Sequence, residues 1–145
     1  PLRTQDDIVA LKRAVKEGVI DCIATHHQPQ NWDNKAVEFE RAKEGMIGLE
    51  SCFGVINKAL PELDLTQKIN LLTMQPRSIF HLPEVIIKEG ERANLTLFEP
   101  DVKWIFEERN IFSKSKNSPF IGEKLKGKAL GIINKNQFIF RNYGE

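Results

Sequence analysis

No run of apolar residues in this 145-residue chain approaches the ~18 needed to cross a membrane, and no secretory signal pattern opens it. A membrane partner is therefore not expected. Cysteine is scarce. Cys22 and Cys52 cannot make a disulfide scaffold and read as small buried hydrophobes in a reducing compartment, which points to the cytoplasm. Net charge is nearly absent at +1, so no global field draws the chain to nucleic acid. There is no internal repeat and no low-complexity segment. Methionine does not start the chain; Pro1 does, and the expectation is a cleavage product or excised piece whose function depends on residues elsewhere. The length suits one ordinary domain and is too short for a whole eight-stranded β/α barrel, typically ~250 residues.

Charge is unevenly spread. Residues 1–102 carry a net −4 and residues 103–145 a net +5. The basic excess falls mainly on Lys114, Lys116, Lys124, Lys126 and Lys128, in a stretch bearing Gly, Ser, Asn and Pro that reads as a solvated loop rather than the alternative, an anion-binding patch. Aromatic residues are too sparse there for a single-strand stacking platform. Asn94-Leu95-Thr96 matches a glycosylation acceptor by chance, given the missing signal.

The pattern predicts a helix over Thr4–Glu17, with Thr4 and Asp7 as a capping box, Ile8, Leu11 and Val15 as its stripe, and Gly18 just past its end. Val19–Thr25 reads as a short buried strand, and a helix feeding such a strand predicts an α/β unit with a parallel sheet. Thr25–Lys43 is a long polar loop. Loops beyond ~12–15 residues tend to be functional or disordered, and this one leaves the C-terminal end of the strand, where α/β folds gather ligands. Met46–Leu60 is a second predicted helix, with Leu49, Phe53, Ile56 and Leu60 on one face; Asp64 with Gln67 caps a third, which Pro76 interrupts. Beyond Leu82 the chain turns β-rich. Ala93–Phe98 would pair with Val102–Phe106 across Glu99-Pro100-Asp101, and Ala129–Ile133 with Gln137–Arg141 across Asn134-Lys135-Asn136.

Gly122-Glu123-Lys124-Leu125-Lys126-Gly127-Lys128-Ala129 nearly spells a phosphate-binding loop. Ala129 stands where a hydroxyl would hold magnesium, and a strand follows where a helix N-terminus is required, so the two glycines read as turn residues. Thr25-His26-His27-Gln28-Pro29-Gln30 is the most suggestive segment. Neighbouring strand residues point to opposite faces, so one histidine can face a site while the other packs or caps. Metal ligation and ordinary hydrogen bonding both fit. His81 is the only other histidine, and no Cys/His spacing completes a zinc set.

Asp21-Cys22-Ile23-Ala24-Thr25-His26-His27-Gln28-Pro29-Gln30 resembles the strand-8 signature of dihydroorotases, I-D-x-I-A-T-D-H-A-P-H. Other runs resemble family segments in order and spacing. They are Pro1-Leu2-Arg3, Lys35 and Phe39, Gly45-Met46-Ile47-Gly48-Leu49-Glu50, Pro76–Leu82, Gly90–Leu95, and Asn117-Ser118-Pro119-Phe120-Ile121-Gly122.

The resemblance implies an α/β fold: the C-terminal part of a metal-dependent (β/α)8 barrel followed by strands of a small β-sandwich. Residues 1–82 would end the barrel and residues 83–145 would belong to the sandwich. It implies a cyclic amide hydrolase of pyrimidine biosynthesis, interconverting dihydroorotate and carbamoyl aspartate. Zinc would be the parent's cofactor, held by residues outside this chain; the chain alone would hold no metal and would not catalyse. His26 stands where the family has its catalytic, metal-binding Asp. Gln30 stands where a histidine helps hold the substrate carboxylate, and Gly45 lies in a segment whose backbone lines the substrate pocket. The two exchanges leave an alternative, a degenerate relative kept as a structural or assembly partner. The implied partners are the N-terminal part of the same protein, a dihydroorotate-like molecule, and a second copy or another enzyme of the pathway.

Overall fold

The computed structural model describes residues 3–140. The first helix, α1 (Gln5–Lys16), forms for the expected reason. Thr4 accepts from the Asp7 amide, the Asp7 carboxylate accepts from the Thr4 amide, and Gly18 turns the chain out at φ +73°. Its stripe is only half covered, and none of its residues is buried. The second expected capping box also forms, Asp64 with Gln67, and starts α4 (Leu65–Leu72), counted in chain order after α2 (Trp32–Lys35) and α3 (Cys52–Ala59). Pro76 does not end that helix. The break lies at Thr73, and Pro76 sits in the first turn of α5 (Met74–Ile79), where its missing N–H has no intrahelical partner to lose.

Chain contacts divide the molecule into two units, Pro1–Ala24 with Ala59–Val85 and Thr25–Lys58 with Ile86–Glu145. In the first, Leu60, Leu63 and Leu71 are buried. The expected strand Val19–Thr25 is not one. Val19 and Ile20 bend back so that both amides donate to Ala14 O, and Asp21–Thr25 lie in no ladder; Ile23 donates to Leu71 O at 3.0 Å, and no strand of the described residues runs beside it. A strand is defined by its neighbour, so an apolar run without one is not a strand. The parallel sheet predicted from it is accordingly absent among the described residues. Cys22 is half-buried, as is Cys52, so neither is the fully buried hydrophobe expected.

The second unit holds the sheet: β1 (Asn94–Ile105), β2 (Lys124–Asn134) and β3 (Gln137–Phe140), antiparallel in that order. The β2–β3 hairpin is the expected one, with Asn134 opposite Gln137 and Lys135 at φ +58° in the turn; Arg141 lies outside the described residues. The other expected hairpin is wrong. Leu95–Phe98 and Val102–Ile105 belong to one strand, which pairs with β2 through Leu95–Glu99 and again through Lys103–Ile105. Glu99 faces Lys128 and Lys103 faces Lys126, so Pro100-Asp101-Val102 bulge out opposite Gly127 alone. A proline cannot donate to the ladder, and a bulge accommodates it. Gly127 is required there. Its φ is +89°, and a Cβ would fall 2.3 Å from the Phe53 ring.

Lys124, Lys126 and Lys128 therefore lie on β2, not in a solvated loop. Lys126 pairs with Asp101 at 2.7 Å and Lys128 sits 4.4 Å from the Trp104 ring centre. The strand after Gly122 also disposes of the phosphate-loop match. Ile47, Phe106, Ile111 and Leu125 form the core of this unit, flanked by Val55, Trp104 and Phe120. Phe106 is fully buried, a stabilisation of ~1.5–3 kcal/mol. Helix α3 lies close on β2: a Cβ on Gly54 would fall 2.9 Å from Leu125 Cβ.

Helix α3 begins six residues later than the apolar stripe predicts. Met46, Ile47 and Gly48 spend their backbone groups elsewhere: Met46 O accepts from Gln28 N at 2.8 Å, Ile47 N donates to Asn117 O at 3.2 Å, and Gly48 N donates to His27 Nδ1 at 3.1 Å. Those bonds hold the segment extended and fix the floor of the site.

Candidate functional site

The long loop Thr25–Lys43 is ordered by its own hydrogen bonds and by α2. The two histidines part, as adjacent residues must. His27 turns inward, where Nδ1 takes the Gly48 amide, a role that places its ring hydrogen on Nε2. His26 is exposed, on backbone at φ +45°. Gln30 lies half-buried. Its Nε2 donates to Glu44 O at 3.0 Å, and its Oε1 accepts from Asn34 Nδ2 at 3.4 Å. Gly45 sits at φ +108°, and a Cβ there would fall 2.8 Å from the Gln28 side chain. The non-helical backbone expected of Gly45 is present, though α3 does not begin beside it.

Gln30 and Gly45 line one cavity of about 760 Å³, and His26 does not. Its walls mix apolar surface from Trp32, Met46 and Ile121 with the side chains of Lys35, Lys114 and Lys116. The lysines are partly tethered. Lys35 Nζ donates to Lys43 O at 2.9 Å and Gly45 O at 3.3 Å, and Lys116 Nζ donates to Ile111 O at 2.7 Å. Three lysines against one acid, Glu108, give the cavity a positive balance suited to an anionic, partly apolar molecule. The arm bearing Lys114 and Lys116 is anchored at its start by Glu50, whose Oε1 accepts from Phe112 N at 2.9 Å and Ser113 N at 3.0 Å. It is anchored at its end by Asn117, which bonds to Gln28, Gln30 and Gly45.

The sequence reading set Lys114 aside as a solvated lysine, placed Asn117 only at the start of a family-like run, and gave Trp32 no role. The one usable signal was Pro29, which leaves a gap in the donors of the loop that some other group must bridge. Among the described residues, no three His, Cys, Asp or Glu side chains gather where they could hold a metal ion. No helix of the described residues is long and apolar enough to cross a membrane.

The chain has the fold of part of the hydantoinase and dihydropyrimidinase structures. The chain superposes over 98% of its length on 33% of the dihydropyrimidinase from Brevibacillus agri, with a TM-score of 0.85 at 20% identity. Over 97% of its length it superposes on 33% of the L-hydantoinase from Arthrobacter aurescens, with a TM-score of 0.83 at 20% identity. Sequence narrows the class. The chain is 48% identical over 128 residues to the dihydroorotase of Caldicellulosiruptor saccharolyticus, covering 86% of this chain and 30% of that protein. It is 40% identical over 144 residues to the dihydroorotase of Chlorobaculum tepidum, covering 97% of this chain and 33% of that protein. No family model matches. The chain belongs to the dihydroorotase family and spans about a third of the length of the curated relatives it matches.

Proposed function

We propose that the protein containing this chain is a dihydroorotase, a cyclic amide hydrolase of pyrimidine biosynthesis interconverting dihydroorotate and carbamoyl aspartate. This chain would contribute the last part of a (β/α)8 barrel, the loop that closes on substrate, and strands of the companion β-sandwich. The observation that carries the proposal is the near end-to-end match to dihydroorotases at 40–48% identity. The positive cavity lined by Gln30 and Gly45 supports it, because both partners of the reaction are carboxylates.

Ring opening moves a proton from the attacking water to the leaving amide nitrogen. His26 is the residue this chain offers for that transfer, since an imidazole can accept and return a proton. Gln30 can donate its remaining amide hydrogen to a carboxylate, and the Gly45 backbone can approach the substrate closely because no side chain intervenes. The zinc implied by the resemblance does not fit the described residues alone, since no three of their His, Cys, Asp or Glu side chains gather in one place. Its ligands would come from the remainder of the protein, whose N-terminal part is the proposed partner.

A specific observation favours a second reading, a degenerate relative serving assembly with itself or with another enzyme of the pathway. His26 does not line the cavity, and the Gln30 carboxamide is already engaged at both ends. A dihydroorotate assay on the full-length protein, with its zinc content measured alongside, separates the two. Turnover with bound zinc supports the enzyme; a folded, zinc-free protein with no turnover refutes it and leaves the scaffold.

A further inference from the structure

We infer that Asn117 is the positioning residue of this site: its side chain stands in for a strand neighbour and locks the Gln28–Gln30 and Gly45–Ile47 segments into one wall. The inference deepens the dihydroorotase proposal and rests on it only for its kinetic consequence. Gln28 donates to Met46 O at 2.8 Å, and the two segments could continue as a ladder but for Pro29, which has no N–H. The Asn117 carboxamide spans that gap. Its Nδ2 donates to Gln28 O at 3.3 Å and its Oδ1 accepts from Gln30 N at 3.2 Å, the pattern a peptide group makes across one residue of a neighbouring strand. Nδ2 also donates to Gly45 O at 3.2 Å, where Lys35 Nζ arrives too, and the Asn117 backbone carbonyl takes the Ile47 amide at 3.2 Å.

One residue thus serves three backbone groups through its side chain and a fourth through its carbonyl. No other natural side chain of this length offers a donor and an acceptor side by side. Leucine has the shape without the polar atoms. Aspartate keeps the acceptor for Gln30 N but sets a carboxylate against the carbonyls of Gln28 and Gly45, offset in part by the Lys35 ammonium on the same Gly45 carbonyl.

The test uses the full-length protein and two readouts. In amide hydrogen exchange, Asn117→Ala should speed exchange at Gln30 roughly tenfold, the effect of losing one to two hydrogen bonds, and leave the amide of buried Phe106, which donates to Glu123 O just past β1, unchanged. Asn117→Asp should keep most of the Gln30 protection. In the dihydroorotate assay, Asn117→Ala should raise KM severalfold with kcat little changed, because the wall it sets binds ground state and transition state alike. A merely structural role would instead lower the active fraction, reducing apparent kcat at constant KM. Unchanged Gln30 exchange in Asn117→Ala overturns the positioning role whether or not the protein turns over dihydroorotate. Faster exchange with unchanged KM overturns its bearing on substrate. Absent turnover in the wild type defeats the dihydroorotase proposal while the exchange experiment still decides the clamp. Should Asn117→Ala fail to fold, Asn117→Asp decides by whether Gln30 stays protected.

Discussion

Replacing Gly45 with alanine tests the backbone of the site directly. At φ +108° the residue lies beyond the left-handed pocket that L-residues visit, near +50 to +70°. Holding alanine there costs ~1–3 kcal/mol. The new Cβ adds a second cost, since it falls 2.8 Å from Gln28 Cβ, Cγ and Oε1. Rotating a flexible tip away relieves only the last of these, so overpacking adds ~1–3 kcal/mol. The backbone cannot turn to escape without breaking the bonds that Gly45 O accepts from Lys35 and Asn117. The control is Gly122→Ala, in the same unit at φ +88°, where a Cβ meets nothing within 4 Å. It carries the backbone cost alone. Equilibrium urea denaturation followed by the fluorescence of Trp32 and Trp104, both in this unit, should show Gly45→Ala less stable than Gly122→Ala by ~1–3 kcal/mol. Equal losses would refute the contact with Gln28, and an unchanged midpoint for Gly45→Ala would refute the backbone geometry as well.

Two further outcomes follow from titrating groups. Asp7 titrates below its ordinary 3.8, first because the Thr4 hydroxyl and then because the Thr4 amide donates to its carboxylate. A depressed folded value means its contribution to α1 is present above the unfolded pKa and lost as pH falls through the folded one. Helical circular dichroism should thus drop as pH falls below the ordinary 3.8, and Asp7→Asn should flatten the part due to this cap; an identical acid profile in the variant rules the cap out. Burial pushes the Cys52 thiol above its ordinary 9.0, so its alkylation by iodoacetamide should be slower in the folded chain than in urea and still rising at pH 9.0. A rate that levels off below that pH contradicts the burial of the thiol.

What the sequence made legible was local. A capping box needs two residues three apart, and both that were expected, Thr4 with Asp7 and Asp64 with Gln67, formed. The Asn134–Gln137 turn is equally local. What failed was decided at a distance. Val19–Thr25 has strand composition, yet no strand lies beside it among the described residues. Glu99-Pro100-Asp101 has turn composition, yet β2 runs past it and absorbs it as a bulge. The stripe of Leu49 and Phe53 suits a helix, yet Met46–Gly48 bond to the loop and to Asn117 instead, and Leu49 is left exposed. The site divides the same way. Gly45 could be picked out because glycine is a backbone signal. Asn117, 72 residues further on, showed only as the start of a family-like run, because its role lies in what it faces.

On the proposed dihydroorotase reading activity would turn on His26, and His26→Asp in the full-length protein is the exchange that tests it. The backbone accepts it: φ +45° is left-handed, and Asp, like His, tolerates that region better than most residues, so the variant should fold as the wild type does. The side chain is exposed, so no packing is lost either. What changes is chemistry. The carboxylate is shorter, is negative at neutral pH, and is the group the family resemblance assigns to proton transfer. General acid–base catalysis contributes ~10²–10⁴-fold, so a site lacking only that group should gain activity in that range with His26→Asp. Gln30→His added to it should lower KM further by restoring a cation beside the substrate carboxylate. If His26 is an adapted base, the wild type is already active and His26→Asp loses activity, which would overturn the degenerate reading. If neither the single nor the double variant turns over dihydroorotate and the protein holds no zinc, loss of function extends beyond this loop, and the chain serves assembly.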